Sequence, residues 1–198
     1  MPGRPGVRSS RGRPPPEPCT RCRNGDARRV IGGEGPLCDN CADELISEAT
    51  GWPRLESPPP AETFRGPDGV EHRMVYSVMR TPGGIEVLAE EDGWAVDDGY
   101  RLALMGDHDA DVGSMFAQLR RRVRAAIGRQ YLEHSRHRDG WIMRGMEVEG
   151  RLVWRDERPG YDVVVDGRRL SWEEFGATLE PFEGWAFRLS MHDVDTAG

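Results

Sequence analysis

Seven short stretches of the chain have the pattern of β-strands, and several of them alternate between apolar and polar residues with a period of two. They are residues 70–78, 85–90, 100–105, 146–148, 152–154, 161–165 and 185–191. Alternation of this kind predicts β-strands with one buried face. Gly, Pro and Asp turn residues bound most of these stretches, and hairpin-length connections favour antiparallel pairing. The stretches at 146–148 and 152–154 flank Glu149-Gly150 and are expected to form a hairpin.

The longest stretch with a helical period runs from Asp109 to about His134. Its apolar residues recur at steps of three or four, which places them on one face of an amphipathic helix. They are Val112, Met115, Phe116, Leu119, Val123, Ala126 and Ile127. Arginines fill much of the opposite face. Asp109 or Asp111 suits the N-terminus, because a carboxylate there accepts free backbone N–H groups.

A shorter helix is predicted after Ser171. Ser171 and Glu174 have the spacing of a capping box, in which each side chain accepts a hydrogen bond from the other residue's backbone N–H. The helix is expected to run through Leu179 and to stop at Pro181. The element order is therefore three strands, a long helix, three strands, a short helix and a final strand, which indicates an α+β fold.

Composition divides the chain into five regions. They are a basic arm at 1–16 that is expected to be disordered, a four-cysteine zinc finger at 17–50, a Pro-rich linker at 51–63, an α+β domain at 64–192 and a short tail at 193–198. The arm has too few apolar residues to offset the entropy of ordering its chain. The predicted fold class is α+β, with a small zinc finger followed by an antiparallel sheet domain that has one long and one short helix.

Charge is distributed unevenly along the chain. The net charge is −7, yet residues 1–30 carry eight Arg and only two acids. All 27 basic side chains are arginine, which excludes lysine-dependent enzymes and P-loop nucleotide hydrolases. No stretch approaches the ~20 apolar residues of a membrane span, and no N-terminal apolar run has the form of a secretory signal. A cytoplasmic protein without membrane contact is expected.

The four cysteines are confined to one short region. Cys19, Cys22, Cys38 and Cys41 form a C-x2-C-x15-C-x2-C pattern. Two such pairs supply four thiolates at about 2.3 Å around one tetrahedral ion, which is typical of structural zinc. Disulfides would need an oxidising compartment, and a thioredoxin-like motif would need a βαβ unit that this region lacks. Iron on the same four sulfurs is the alternative metal.

The surroundings of the cysteines resemble the treble-clef or zinc-ribbon type of zinc finger. Residues 23–25 fit a knuckle turn after the first pair, residues 28–31 a short strand, and residues 42–49 a helix that starts at the second pair. The resemblance implies a structural Zn²⁺ and a segment that does not fold without it. Members of this class bind DNA, RNA or proteins, or simply stabilise a fold, so the resemblance implies no single role.

The C-terminal run resembles the ending of a bacterial family of uncharacterised proteins. It combines a DG turn at Asp166-Gly167, an S-W-E-E-F-G helix from Ser171 and an F-E-G-W-x-F-x-L strand from Phe182. Some members carry a cysteine-rich N-terminal segment like this one. The resemblance implies no activity, because each motif residue also has a structural role as a cap, a core aromatic or a turn glycine.

An acidic stretch before the long helix has a calcium-binding and a structural interpretation. Asp107, Asp109 and Asp111 alternate as in a calcium loop, but the positions that an EF-hand reserves for Gly and Glu hold Val112 and Gln118. A strand-to-helix corner with capping carboxylates is favoured.

The histidines and tryptophans also have simple structural interpretations. His72 lies on the apolar face of a predicted strand, and His134 and His137 lie near the expected end of the long helix, where the dipole favours them. Trp172 and Trp185 lie on amphipathic patterns, which favours a place in the core.

The sequence predicts a non-catalytic, zinc-binding bacterial protein that acts as an interaction or regulatory module with a protein partner. The alternative is nucleic-acid binding through the basic arm and the arginines of the finger. The candidate contacts are Arg21, Arg23, Arg28 and Arg29. A third hypothesis is an unrecognised enzyme that uses His72, His108 or His134 with the acids at 107–111, and it requires these groups to converge in one pocket.

Overall fold

The computed structural model describes residues 17–23, 27, 29–31, 33–93, 98–135, 140–155 and 159–191. These residues contain three α-helices and eleven strands, and every strand pair is antiparallel. The α+β class is therefore confirmed, with the cysteine segment ahead of the sheets. The predicted arm at 1–16 and tail at 193–198 lie outside the described residues. No helix in the described ranges has the length and apolar character to cross a membrane.

A small N-terminal unit contains the four cysteines. Its elements are β1 (Arg29–Val30), β2 (Pro36–Leu37) and α1 (Asp39–Thr50). The two strands pair as a short ribbon, and α1 ends at Gly51, whose φ of 75° allows a left-handed cap. The unit has few buried apolar side chains beyond the cysteines, chiefly Leu37 and Ala42. So small a core cannot hold the unit together alone.

A four-stranded sheet with the order β3-β4-β5-β6 follows. Its strands are β3 (Glu62–Arg65), β4 (Glu71–Thr81), β5 (Gly84–Glu91) and β6 (Arg101–Gly106). Strands β4 to β6 confirm the three strands predicted in this region. Strand β3 was not predicted, because its single core-facing residue, Phe64, leaves no alternation to detect.

The long helix α2 (Val112–Gly128) packs its predicted apolar face on this sheet. Six of its side chains are buried there. They are Val112, Met115, Phe116, Leu119, Val123 and Ile127. Each contributes about 1.5–3 kcal/mol of burial free energy. The carboxylate of Asp111 caps the helix by accepting a hydrogen bond from the Ser114 N–H, which confirms one of the two expected caps.

The predicted end of the long helix at about His134 is wrong. Helix α2 ends at Gly128, and His134 lies in a strand. The reason is a contact that is distant in sequence: the Asp166 carboxylate accepts hydrogen bonds from the N–H groups of Tyr131 (2.9 Å) and Leu132 (2.8 Å). These donors bind a carboxylate instead of continuing the helical ladder.

A second, smaller unit is built after α2. Its elements are β7 (Leu132–His134), β8 (Trp141–Met143), β9 (Arg151–Trp154), β10 (Tyr161–Val165), β11 (Arg168–Leu170) and α3 (Trp172–Thr178). Strand β7 pairs with β8, and the other three form a sheet in the order β11-β10-β9. Its core is centred on Leu132, Val163, Val165 and Leu170. The region expected as one domain thus contains two hydrophobic cores.

Helix α3 confirms the predicted capping box. The Ser171 hydroxyl accepts a hydrogen bond from the Glu174 N–H at 3.1 Å, and the Glu174 carboxylate accepts one from the Ser171 N–H at 2.8 Å. A single 3-10 turn at Glu180–Phe182 follows, in place of a helix end at Pro181.

Two predicted strands are wrong. Residues 146–148 form no strand, because β9 pairs with β10 instead of closing a hairpin on them. Residues 185–191 have no regular secondary structure. The core positions expected for Trp172 and Trp185 are wrong as well, since these side chains are 55% and 63% exposed.

The tight turn between β4 and β5 contains a glycine whose replacement should destabilise the sheet. Gly84 has a φ of +135°, and an added Cβ would lie 2.0 Å from the backbone oxygen of Gly106 on β6. We expect Gly84→Ala to lower the free energy of unfolding by about 3 kcal/mol. Gly83→Ala is the matched control, because its Cβ would meet nothing closer than Met105 at 3.6 Å. Equal midpoints for the two variants in urea unfolding would contradict this account of the turn.

Candidate metal centre

The first cysteine pair is positioned by a tight turn tied to β2. The Arg23 N–H donates to the Cys19 carbonyl at 2.9 Å, and Arg23 has a φ of 60°, so the chain reverses directly after Cys22. The Thr20 N–H donates to the Pro36 carbonyl at 2.9 Å. This bond holds the turn beside the strand that leads to the second cysteine pair.

The second pair lies at the start of α1. Cys38 is the N-cap residue, and Cys41 lies in the first turn and is 4% exposed. The Ala42 N–H donates to the Cys38 carbonyl at 2.9 Å, which sets the first turn of the helix. Residues three apart in this position direct their side chains to the same side, towards the turn that holds Cys19 and Cys22.

The four sulfurs converge on one point. Their Sγ atoms all lie within 4.8 Å of one another, and those of Cys22 and Cys38 are 3.8 Å apart. An ion with four Zn–S bonds of about 2.3 Å in a tetrahedron requires sulfur separations of about 3.8 Å. The arrangement therefore fits a tetrahedral site with four sulfur ligands. It is the one group of three or more His, Cys, Asp or Glu side chains in the described residues that has such a geometry.

The surroundings of the site shift the thiol pKa values of Cys19 and Cys41 in opposite directions. Backbone N–H groups of Cys22 and Cys38 donate to the Cys19 sulfur and lower its pKa to about 6. Burial raises the pKa of Cys41, and neighbouring thiols raise it further. Without an ion, the buried Cys41 thiol therefore resists the loss of its proton. A divalent cation would offset the cost of this buried charge, because it binds all four sulfurs as thiolates.

Two of the candidate nucleic-acid contacts are paired with acids of α1. Arg21 donates to the Glu48 carboxylate at 3.0 Å, and Arg29 donates to Asp39 at 3.0 Å. Arg23 is exposed, and Arg28 lies outside the described residues. Of the three candidates that the structure describes, two are therefore engaged with acids of α1 and are not part of a free basic surface.

A buried ion pair joins α1 to β4. Asp43, two residues after the last cysteine, lies 3.3 Å from the Arg80 guanidinium, and their side chains are 11% and 4% exposed. Arg80 also donates to the carbonyls of Pro53 (2.5 Å) and His108 (3.4 Å). The second Asp43 oxygen accepts the Leu55 N–H at 2.9 Å. The segment expected as a linker therefore contacts both units that it joins.

A cleft of about 780 Å³ lies where the N-terminal unit meets the sheet. Ile31, Ile46 and Met79 contribute apolar walls, and Trp52 stacks on His108 with ring centroids 4.7 Å apart. Sequence reasoning missed this cleft and the ion pair beside it. No signal in the sequence indicated this pair, because Arg80 lies beyond the predicted strand at 70–78 and its burial follows from the extension of β4 to Thr81.

The histidines of the enzyme hypothesis do not share a pocket. His72 lies 2.7 Å from the Glu91 carboxylate, and His108 lines the cleft at the N-terminal unit. His134 packs against the ring of Trp141. Asp111, from the acidic stretch, caps α2. The geometric condition set for histidine catalysis is not met by the described residues.

Two family models match the chain, and the boundary between the two matches coincides with the boundary between the two hydrophobic cores. Residues 56–128 match the family model described as domain of unknown function DUF7686, and residues 131–196 match domain of unknown function DUF7713. No curated protein and no solved structure matches the chain. The chain is thus similar to two consecutive domains of unknown function, with the cysteine site ahead of the first.

Proposed function

We propose that this protein is a non-catalytic, zinc-binding interaction module of the bacterial cytoplasm. The observation that carries the proposal is the convergence of four cysteine sulfurs within 4.8 Å at the start of α1. Four protein thiolates complete a tetrahedral shell, which leaves no position for a reacting water. In a reducing compartment these cysteines stay free of disulfides and available to a metal.

The proposed role of the ion is to organise the N-terminal unit. A turn, a short ribbon and a helix that starts at the second cysteine pair are the parts of a treble-clef finger, and we propose that the unit is a finger of this type. The unit has almost no core of its own, so the metal–sulfur bonds supply the free energy that the core does not. The unit then presents its surface and the adjoining cleft to a protein partner.

Zinc is tested directly by elemental analysis of the purified full chain. We expect one zinc per chain and no visible absorption bands, because Zn²⁺ has a filled d shell. A coloured protein that contains one iron per chain would show that the metal of this site is iron and not zinc. A preparation with far less than one metal ion per chain would contradict the metal site itself.

Pairing of the arginines supports a protein partner over nucleic acid. Arg21 and Arg29 already neutralise acids of α1, and the chain as a whole has a net charge of −7. Fluorescence anisotropy with labelled single- and double-stranded DNA at two salt concentrations tests whether the protein binds nucleic acid. We expect no binding at low salt. Tight binding that weakens steeply with salt, and that Arg23→Gln reduces, would favour the nucleic-acid alternative.

The partner is sought by affinity capture from the native host. The bait is the metal-loaded full chain, and Cys41→Ser is the matched bait without an organised N-terminal unit. A protein retained only by the metal-loaded chain supports the interaction module. Equal retention by both baits would place the interaction elsewhere on the chain.

A further inference from the structure

The segment at residues 185–191 has the pattern of a strand but no partner. Four of its side chains, Trp185, Phe187, Leu189 and Met191, are 63%, 91%, 72% and 66% exposed. Residues 186–191 form no hydrogen bond with any other described residue. The segment follows a 3-10 turn and Gly184, whose φ of 83° is a left-handed conformation that breaks the turn. Its backbone and its apolar face are both left to solvent.

The segment lies inside the range that matches a known family model. The match to the second domain of unknown function runs from 131 to 196 and includes it. Four large apolar residues in seven, all on one face of an extended chain, form a patch of the kind that marks an interaction site. A strand with this pattern is satisfied by pairing with the edge of a sheet.

A suitable edge exists on the same unit. Strand β9 is the outer strand of the order β11-β10-β9, and in the described residues it pairs with β10 alone. Leu152 and Trp154 on β9 are 43% and 52% exposed, and Trp154 meets Tyr161 with ring centroids 5.3 Å apart. The edge therefore has no second strand beside it among the described residues, although the Trp154 carbonyl accepts a hydrogen bond from the Arg169 guanidinium at 3.0 Å. An open edge beside an exposed apolar strip is an aggregation hazard unless it is covered.

We propose that residues 185–191 of one copy pair with the β9 edge of a second copy, and the reverse, to form a two-fold dimer. The chain folded alone leaves the segment uncovered, whereas a second copy supplies an identical edge and an identical strand. In this exchange the backbone groups of each strand gain ladder hydrogen bonds, and the four apolar side chains cover Leu152 and Trp154 of the other copy. Exchange of an identical element is a low-cost route to a dimer.

The area available is sufficient for a stable dimer. A fully buried aromatic side chain removes about 150–250 Å² from solvent, so the two copies of Trp185 and Phe187, which are 63% and 91% exposed, remove at most about 600–1,000 Å². Leu189, Met191 and the covered strip on β9 add to this area. The total reaches the range of about 1,200–2,000 Å² that specific interfaces bury.

The first test is the mass of the metal-loaded full chain in solution, measured by light scattering during gel filtration. We expect twice the chain mass of 22.2 kDa. Phe187→Asp combined with Leu189→Asp is expected to give a folded monomer whose thermal midpoint does not depend on protein concentration, because these side chains are 91% and 72% exposed in one chain. Arg188→Gln, on the opposite face of the segment, is the matched control and should leave the dimer intact. A monomeric wild type, or a dimeric double variant, would overturn the proposal.

The second test identifies the strand that residues 185–191 contact. It also shows whether that strand lies in a second copy or in the same chain. A benzophenone amino acid is placed at position 187, and isotope-labelled and unlabelled chains are mixed, unfolded and refolded together before illumination. We expect cross-links between position 187 and residues 151–155 that combine one labelled and one unlabelled peptide. Cross-links confined to peptides of one isotope would mean that the segment covers its own chain. Cross-links to any other surface would exclude the β9 edge.

Discussion

Replacing Cys41 by Ser is expected to release the metal and to unfold the N-terminal unit. The Cys41 sulfur is one of four that lie within 4.8 Å of one another, and a hydroxyl does not replace a thiolate as a zinc ligand. Even changes to groups behind the ligands weaken metal sites about 10–100-fold, so we expect the loss of a ligand to exceed about 100-fold. Elemental analysis after dialysis against a weak chelator should find well under one ion per chain.

Hydrogen exchange extends this prediction from the metal to the fold. Apparent binding energies for structural zinc reach about 10–16 kcal/mol in zinc-finger peptides, and that energy is also folding energy. The amides of α1 are therefore expected to lose their protection in Cys41→Ser, while those of β4 and β5 keep most of theirs. Arg23→Gln, an exposed change beside the first cysteine pair, is the control. Full protection of α1 in the metal-free variant would show that the unit folds without metal.

Arg80→Leu is expected to cost about 3 kcal/mol of the free energy of unfolding, because it removes the buried cation of the Asp43 ion pair and leaves only the half-exposed Arg54, 3.9 Å away, to balance that carboxylate. Asp43 is 11% exposed at its side chain, and Arg80 is 4% exposed. The change also removes the donor to the Pro53 carbonyl and the cation 5.3 Å from the centre of the Trp52 ring. Urea unfolding of the metal-loaded chain measures the cost, and hydrogen exchange shows whether α1 leaves β4.

A second ion pair and a double variant serve as controls for Arg80→Leu. Arg101 and Glu90 lie 3.6 Å apart on the same sheet with side chains 38% and 32% exposed, so Arg101→Leu should cost within about 1 kcal/mol. Arg80→Leu combined with Asp43→Leu removes both charges and is expected to recover part of the loss. If Arg80→Leu costs no more than Arg101→Leu, the ion pair does not hold the N-terminal unit on the sheet.

The elements that the sequence predicted correctly are those that depend on neighbouring residues. The capping box of Ser171 and Glu174 spans one helical turn, and the Asp111 cap acts on a residue three positions away. The cysteine spacing works in the same way, since each pair lies within four residues and needs only a turn to aim two sulfurs together. The amphipathic face of α2 is a property of its own sequence, although its length is not.

The predictions that failed depend on partners that are distant in the chain. The helix ends early because Asp166 binds backbone N–H groups 34 and 35 residues before it. The hairpin expected at 146–148 and 152–154 is absent because β9 finds its partner in β10. The alternation at 185–191 is that of a strand, but the segment pairs with no sheet edge in the folded chain.

The sequence by itself determined the four-cysteine pattern, the α+β class and the caps of two helices, because each of these is encoded within short stretches of the chain. Three features were decided only by the tertiary structure. The four cysteines meet in space, the region at 64–192 contains two hydrophobic cores, and the N-terminal unit lies against β4. The Asp43–Arg80 pair makes the difference clear. Its members are 37 residues apart, and neither charge could be buried until the fold brought the other beside it.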